Sequence, residues 1–318
     1  MKATNTRARK GAAVFATAIA LTLTLAACSS SSDSAAGSGD CTIGMVQINQ
    51  TAAFFTQMNE GAQEAAAEVG CELSIANANN DPAKQNSDIE NFVTQGVTGL
   101  IVVAIDVNGV LPAVQAAMAD GIKVIAIDAK LDEGNYDTFV GVDNEKAGAE
   151  IGQWVVDQGL ADGTSYGVIG AKNSFIQNQR EDSFRALVDG NGMIFTQSVS
   201  GDNVQEQAAD AAQNLVTAQP DLDYIYTTGE PATVGAVSAL DAASKTKIIG
   251  WDLTREVISG LDSGSVIAIV QQDPRKEGFE AVKEIKSLLD GGTAAGFIDV
   301  PIAIVTPGDV EPYRAVFP

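Results

Sequence analysis

The sequence predicts an α/β fold of two similar halves, each a parallel β-sheet with helices packed beside it. Short apolar runs of strand length alternate with longer segments in which apolar residues recur at helical spacing. Gly70, Gly96 and Gly121 each follow a helical segment, where glycine commonly ends a helix. Repeated strand–helix–strand units require parallel strands, because each helix returns the chain to the same edge of the sheet.

The pattern repeats after residue 142, which divides the chain into the two halves. The predicted strands of the first half are 43–48, 73–76, 100–104, 124–127 and 139–142, and its helices are 54–69, 83–95 and 111–119. The predicted strands of the second half are 166–169, 193–199, 224–226, 248–251 and 266–270, and its helices are 176–189, 204–218, 233–243 and 255–261. A further helix over 274–289 and a last strand over 300–305 complete the prediction.

The N-terminus has the pattern of an export signal that ends in a lipid-attachment motif. Basic residues between Lys2 and Lys10 precede an apolar stretch, and Leu25, Ala26 and Ala27 lead to Cys28. A transmembrane helix is the alternative, but the apolar stretch of about 15 residues is shorter than the roughly 20 that span a bilayer. We therefore expect a signal peptide over 1–27, lipid on Cys28, and a Ser/Gly tether over 28–41. The mature protein would work outside the cytoplasm, at the outer face of the cell membrane.

The composition excludes several classes of function. The chain has 41 acidic against 19 basic residues, a net charge of −22, which argues against a nucleic-acid partner. It has no histidine, so a Ser/His/Asp triad, a Cys/His dyad and the usual His-ligated zinc site are excluded. We expect no metal, no cofactor and no enzyme activity, and a monomeric chain.

Two cysteines remain after Cys28, and each immediately precedes a predicted strand. Cys41 comes before the first strand and Cys71 before the second. If these strands are parallel neighbours, the two thiols lie side by side at their amino ends, and an exported protein can keep a disulfide there. Two separately buried thiols are the alternative.

Segments between residues 42 and 305 resemble the ribose-binding family of periplasmic sugar receptors, the solute-binding subunits of ABC importers. The resemblance lies in the order and spacing of several motifs rather than in any one of them. They include TIGMVQINQTAAFFTQMNEG at 42–61, KVIAIDAK at 123–130, VGVDNEKAG at 140–148, NQREDSF at 178–184, IIGWD at 248–252 and VQQDP at 270–274.

This resemblance implies a type I periplasmic binding protein, with two Rossmann-like lobes joined by three hinge crossovers that close on one ligand. The N-terminal lobe would comprise 42–142 and 273–297, and the C-terminal lobe 143–272 and 298–318. The first two strands of such a lobe are adjacent. The resemblance therefore supports pairing of Cys41 with Cys71.

A site for a sugar or polyol needs aromatic side chains against the C–H faces, together with charged acceptors and bidentate donors for the hydroxyls. The residues at positions that match or adjoin the family's ligand-binding positions are Phe54, Phe55, Asp128, Arg180, Glu230, Trp251, Asp252 and Gln272. Structural roles are the alternatives: core packing for the aromatic residues, helix or turn capping for the aspartates, and a surface ion pair for Arg180.

The chain departs from the family pattern at several of these positions. Ala129 replaces the arginine that usually follows Asp128, and Lys130 is the nearest basic residue that could substitute for it. Gly229 stands where an asparagine is common, and Asn203 replaces a usual aromatic residue. A polyol, a deoxy or branched sugar, or another small polar ligand is therefore a better candidate than ribose itself.

The sequence thus predicts a lipid-anchored solute-binding protein that captures a small sugar or polyol by hinge closure and presents it to an ABC permease. An extracytoplasmic sensor for a signalling membrane protein is the alternative. A hydrolase with paired carboxylates is disfavoured, because the acidic residues stand singly at separate strand ends.

Overall fold

The computed structural model describes residues 41–50, 53–240 and 244–317. Numbered in chain order, the strands are β1 Thr42–Gln47, β2 Glu72–Asn77, β3 Gly99–Val102, β4 Lys123–Ile127, β5 Thr138–Gly141, β6 Ser165–Gly170, β7 Ile194–Ser200, β8 Tyr224–Thr227, β9 Lys247–Trp251, β10 Val266–Gln271, β11 Phe297–Asp299 and β12 Ala303–Val305. The helices are α1 Ala53–Val69, α2 Pro82–Gln95, α3 Leu111–Ala119, α4 Asn144–Asp157, α5 Phe175–Val188, α6 Gln205–Ala218, α7 Glu230–Ala239, α8 Arg255–Ser263 and α9 Pro274–Leu289. Short 3-10 turns lie at Asp189–Asn191 and Glu311–Tyr313.

The strands form two six-stranded sheets, as the two predicted halves require. The first sheet has the order β2-β1-β3-β4-β5-β11 and is parallel throughout. The second has the order β7-β6-β8-β9-β10-β12, and its first five strands are parallel. We call each sheet, with the helices packed on it, lobe one and lobe two.

Each sheet is buried on both faces, which is usual for parallel sheets. In β3, Ile101 packs into one apolar cluster, while Leu100 and Val102 pack into another on the opposite face. In β10, Ile269 and Val270 divide in the same way between two clusters of lobe two. These continuous apolar runs explain why the strands are visible in the sequence.

The last predicted strand, 300–305, is longer than the observed β12, which begins at Ala303. β11 pairs with β5 of lobe one, and β12 pairs antiparallel with β10 of lobe two. Pro301 lies between them and cannot donate to a strand ladder. The chain passes from the carboxyl edge of one sheet to the carboxyl edge of the other, so β12 enters its sheet in the reverse direction.

Helix α4 was not predicted, although its sequence carries a helix pattern. The Asp143 side chain accepts a hydrogen bond from the backbone N–H of Lys146 and caps the helix. Ala147, Ile151 and Val155 then recur every fourth residue and are buried. Helix α7 likewise begins earlier than predicted, at Glu230, because proline is tolerated in a first turn.

Three crossovers connect the lobes. The first follows β5 at Val142 and Asp143, and the second lies between β10 and α9 at Gln272 and Asp273. The third follows Asp299, two residues later than the predicted boundary, because β11 stays paired with β5 to that point. The Asp299 carboxylate also accepts a hydrogen bond from the backbone N–H of Asp143, at 3.2 Å, and so ties the first crossover to the third.

A disulfide joins Cys41 and Cys71, whose Cα atoms are 4.7 Å apart. The two residues precede β1 and β2, which are adjacent and pair from Thr42 and Glu72 onward. The bond therefore fixes one edge of the first sheet.

The predicted signal peptide, Cys28 and the tether up to residue 40 lie outside the described residues. Within the described ranges, no helix has both the length and the apolar character needed to cross a bilayer.

Candidate functional site

Polar side chains gather where the carboxyl ends of the strands of both sheets meet. Asp128 follows β4 and Asp252 follows β9, while Gln272 follows β10. Such strand ends are where open parallel sheets bind ligands.

Asp128 and Asp252 occupy equivalent backbone positions in the two lobes. Their φ angles are +59° and +63°, in the left-handed region that Asp tolerates better than most residues. The N–H of Asp128 donates to the carbonyl oxygen of Val140, and that of Asp252 donates to the carbonyl oxygen of Val270. Each carboxylate is thus placed at a sharp turn at the end of a buried strand.

Arg180 lies at the centre of the site, on α5, and is only 3% exposed. Its Nε donates to Asn144 Oδ1 at 2.7 Å, one terminal nitrogen donates to the carbonyl oxygen of Thr228 at 3.1 Å, and the other donates to Gln272 Oε1 at 3.3 Å. A surface ion pair, the structural alternative for Arg180, is not what the structure shows. Burial lowers the pKa of Arg180, while the charges of Asp252 and Asp128 raise it.

Gln272 connects Arg180 to Asp252. Its Nε2 donates to Asp252 Oδ1 at 2.9 Å, while its Oε1 accepts from Arg180. Burial raises the pKa of Asp252, and the Arg180 charge and the Gln272 hydrogen bond lower it. The neighbouring Gln271 is turned away from this network, because its Oε1 accepts from the backbone N–H of Leu253. Gln272 can therefore link a lobe-two carboxylate to the second crossover.

Trp251 is not placed as a ligand-contacting aromatic side chain. It is 0% exposed, its Nε1 donates to the Tyr226 hydroxyl at 2.9 Å, and the Arg180 guanidinium lies 3.7 Å over its ring. The arginine covers the face that a sugar would need. The structure thus gives Trp251 the position of a buried support for Arg180.

A cleft of about 320 Å³ is lined by residues of both lobes and holds three of the predicted site residues. Phe54 lines it from lobe one, and Glu230 and Asp252 line it from lobe two. Burial of the Glu230 carboxyl, together with the charges of Asp252 and Glu256, raises its pKa to about 7. Phe55 lies behind Phe54, with ring centroids 5.3 Å apart, and also packs against the core of lobe one.

Asp128 brings a carboxyl group from lobe one under the influence of charges in lobe two. Burial raises its pKa, the charge of Arg180 lowers it, and that of Asp252 raises it. Lys130, the candidate substitute for the missing arginine, is exposed, and its Nζ lies 3.7 Å from Glu133 Oε1. In this structure Lys130 therefore points toward Glu133 rather than toward Arg180.

Gly229 and Asn203, two positions where the chain differs from the family pattern, both adjoin the side chain of Gln177. Gln177 was not among the candidates predicted from the sequence. Gln177 Nε2 donates to Asn203 Oδ1 at 2.9 Å, and its Oε1 accepts from the Thr228 hydroxyl at 2.8 Å. A Cβ at Gly229 would lie 3.0 Å from Gln177 Nε2. The amide of Gln177, from α5, thus occupies the space that a side chain at position 229 would need.

A second cleft, of about 640 Å³, lies beside the first crossover, and of the candidate ligand residues only Lys130, the possible substitute for the missing arginine, lines it. Its lining includes four aromatic residues from the two lobes: Tyr136, Phe139, Phe175 and Phe297. Phe175, the first residue of α5, is 72% exposed.

The sequence also missed Asn144, which accepts from Arg180 and whose Nδ2 donates to the carbonyl oxygen of Val142. The omission follows from the missed helix, since Asn144 is the first residue of α4. Its position shortly after the end of β5 was the available signal.

Comparison with known proteins places this architecture among binding proteins. Residues 43–293 match the model of a family described as periplasmic binding protein domain. A ribose import binding protein of Bacillus subtilis is 26% identical over 267 residues, which cover 83% of this chain and 87% of that protein. A D-ribose/D-allose-binding protein of Pseudomonas aeruginosa is 27% identical over 282 residues, covering 83% and 88% of the two chains.

Solved structures agree with the fold. A periplasmic ribose ABC transporter protein of Conexibacter woesei superposes with a TM-score of 0.81 at 23% identity, covering 87% of this chain and 95% of that one. An ABC transporter solute-binding protein of Mycobacterium smegmatis, solved with bound glycerol, has a TM-score of 0.74 at 29% identity, covering 86% and 96%. These relatives are solute-binding proteins rather than enzymes, in agreement with the sequence prediction.

Proposed function

The chain belongs to the periplasmic binding protein domain family, and from that membership we propose that it captures a small sugar or polyol for an ABC importer. The observation that carries the proposal is the network around Arg180. Its guanidinium is buried and is oriented by hydrogen bonds to Asn144 and Gln272, at the first and second crossovers. The charges of Asp128 in lobe one and Asp252 in lobe two both act on it. Such convergent donors and acceptors suit a ligand with several hydroxyl groups.

Hinge closure is the proposed mechanism. A ligand that contacts Asp128 in lobe one and Asp252 in lobe two stabilises the closed form, because only that form offers both contacts at once. Phe54 would cover an apolar face of the ligand, and Arg180 and Gln272 would bind its hydroxyls. No covalent step is needed.

The class of ligand follows from the relatives and from the departures. Ribose, allose and glycerol appear in the names and structures of the related proteins. Ala129 removes one donor, and Gln177 fills the space at Gly229, so we propose a polyol or an altered sugar rather than ribose.

A thermal-shift screen of the soluble chain that begins after Cys28 tests this function. At a concentration 100 times its dissociation constant, a bound sugar or polyol adds about 2.7 kcal/mol to the free energy of unfolding. We expect at least one member of a sugar and polyol panel to raise the melting temperature of the wild type and to have a much smaller effect on Asp252→Ala. A panel of amino acids and dipeptides is the control, and stabilisation by these alone would contradict the proposal.

We also propose that the protein is a monomer held at the outer face of the cell membrane by lipid on Cys28. The lipid-attachment motif from Leu25 to Cys28 supports the membrane anchor. Mass spectrometry of the membrane-extracted protein should find an acylated Cys28 as the first residue. The Cys28→Ala variant should no longer be found in the membrane fraction. A mature chain that retains Ala26 or Ala27 would contradict the anchor.

A further inference from the structure

Glu277 is a buried carboxyl group that the proposed mechanism does not yet use. It is 0% exposed, and neither of its carboxylate oxygens has a hydrogen-bond partner among the described residues. Leaving a buried polar group unpaired is costly, and a charged one costs more. Such a group needs either a proton or a partner that the protein chain does not supply.

The position of Glu277 follows from its helix. Glu284, on the same side of α9, accepts from the Thr138 hydroxyl at 2.7 Å and from the backbone N–H of Ala295 at 2.9 Å. Thr138 opens β5, so Glu284 lies at the amino edge of the first sheet. Glu277 lies about two helical turns, roughly 10 Å, closer to the start of α9. It therefore lies at the carboxyl edge of the sheet, where Asp128 stands.

The electrostatic surroundings of Glu277 are those of the site itself. Burial raises its pKa well above the ordinary value, and the charges of Asp128, Asp252 and Asp273 raise it further. Arg180 acts in the opposite direction. Glu277 is thus electrostatically coupled to the carboxyl groups of both lobes.

The site has more carboxyl groups than cations. Arg180 is the only buried lysine or arginine in the described part of the chain. Its hydrogen bonds go to neutral acceptors, and no carboxylate oxygen of the described residues lies within 4.0 Å of it. Arg255 also borders the 320 Å³ cleft, but it is exposed and stands beside Glu256. Asp128, Asp252 and Glu277 therefore share a single buried cation.

We propose that the site at the carboxyl ends of the strands selects a sugar or polyol that carries an amino group, whose ammonium is bound by Asp128, Asp252 and Glu277. This inference rests on the proposed function. An ammonium has three donors and no acceptor, so it can pair with several converging carboxylates. It would also supply the positive charge that Ala129 leaves out. The hydroxyl of a neutral polyol could donate to one of these carboxylates, but it would bring no positive charge to offset the excess of carboxyl groups, and this difference favours the amino compound.

Calorimetric titration with matched pairs of ligands tests the inference. The probes are 2-amino-2-deoxy-D-glucose, 2-amino-2-deoxy-D-galactose and 1-amino-1-deoxy-D-ribitol, each beside its hydroxyl counterpart, with Ca²⁺ and Mg²⁺ as separate titrants. We expect the amino compound of at least one pair to bind about ten-fold or more tightly than its counterpart. This comparison uses only the wild type and does not depend on the folding of a variant.

A substitution tests whether Glu277 is responsible for the preference for the amino compound. Glu277→Gln should reduce the amino preference about ten-fold, while Glu284→Gln, on the same helix face but bound to Thr138 and Ala295, should keep it. Hydroxyl counterparts that bind as tightly as the amino compounds would overturn the inference and leave the sugar-binding function standing. Tight binding of Ca²⁺ or Mg²⁺ in their place, or an unchanged preference in Glu277→Gln, would also overturn it. If neither arm of any pair binds, the inference is overturned, and the sugar and polyol panel of the thermal-shift screen decides the proposed function separately.

Discussion

Arg180 is the residue on which the site depends most, because its three hydrogen bonds join elements that are far apart in the sequence. Asn144 follows the first crossover, Thr228 directly follows β8, and Gln272 belongs to the second crossover. The ring of Trp251 packs against one face of the Arg180 guanidinium. An arginine held in this way keeps its orientation without a carboxylate partner.

Replacing Arg180 by alanine should weaken binding of the sugar or polyol found by thermal shift by about 2 to 5 kcal/mol, since a buried charged partner is removed. Calorimetric titration measures the change. Arg185→Ala is the matched control, because Arg185 lies one turn later on α5 and is near Glu181 and Asp189 instead. Equal losses in both variants would argue against the placement of the site.

Glu277 should make the unliganded protein less stable as the pH rises. Its pKa is raised only in the folded state, by burial and by Asp128, Asp252 and Asp273, with Arg180 opposing. The folded protein therefore holds the proton more tightly than the unfolded chain. The cost of ionising this buried carboxyl group is absent below pH 4.5, the ordinary pKa of a glutamate. As the pH rises above that value, this cost lowers the free energy of unfolding.

Urea unfolding at a series of pH values between 4 and 8 should thus show a shallower decline for Glu277→Gln than for the wild type. Some decline should remain, since burial raises the pKa of Asp128 and Asp252 in the same direction. Parallel curves for the two proteins would mean that Glu277 does not contribute.

At this scale the sequence located the polar strand ends but not every role. Asp128, Asp252 and Gln272 could be placed because each directly follows a recognisable apolar strand. The burial of Trp251 under Arg180 could not be predicted, since it depends on a contact between β9 and α5. Gln177 was missed because its effect depends on the space left by Gly229.

At the scale of elements, glycines set how closely the helices pack. A Cβ at Gly278 of α9 would lie 2.0 Å from the carbonyl oxygen of Met58 in α1, and one at Gly61 would lie 1.8 Å from that of Arg275. Backbone therefore packs on backbone in this pair. The close packing positions the first turn of α9, which carries Glu277.

Gly278→Ala should lower the free energy of unfolding by about 1 to 3 kcal/mol, because the added methyl group forces the two helices apart. Gly190→Ala is the control, since no atom lies within 4 Å of a Cβ there. Its effect should stay within about 0.5 kcal/mol. Similar unfolding curves for the two variants would contradict the close packing of α1 and α9.

The Cys41–Cys71 disulfide should also contribute to stability, because it closes a loop with a sequence separation of 30 residues. Removing both cysteines should cost about 3 to 4 kcal/mol in chemical unfolding. Thiol titration of the unreduced, denatured chain that begins after Cys28 should find no free thiol. Two reactive thiols per chain would show that the bond is absent.

Most elements could be predicted from periodicity, because both sheets are buried on two faces and their strands are continuous apolar runs. The exceptions lie at the crossovers. Helix α4 and strand β12 follow points where the chain changes lobe, and strand β11 directly precedes one. Their partners are set by the return of the chain to a sheet edge, which local sequence does not encode.

For the whole molecule, the three crossovers lie in the same region as the candidate ligand site and would form the proposed hinge. Asn144 and Gln272 adjoin two crossovers and also bind Arg180, while Asp299 ties the first crossover to the third. A ligand that changes the contacts of Arg180 therefore acts directly on the segments about which the lobes would rotate. Binding and closure are expected to be coupled for this reason.

Small-angle X-ray scattering tests that coupling most directly. The radius of gyration of the wild type should fall when the sugar or polyol found by thermal shift is added at saturating concentration. Asp252→Ala, which lacks the lobe-two carboxylate, should show little change at the same concentration, because a ligand that binds both forms equally shifts neither. A wild type that binds the ligand with an unchanged radius of gyration, or an Asp252→Ala variant that compacts as fully as the wild type, would contradict closure around a ligand held by both lobes.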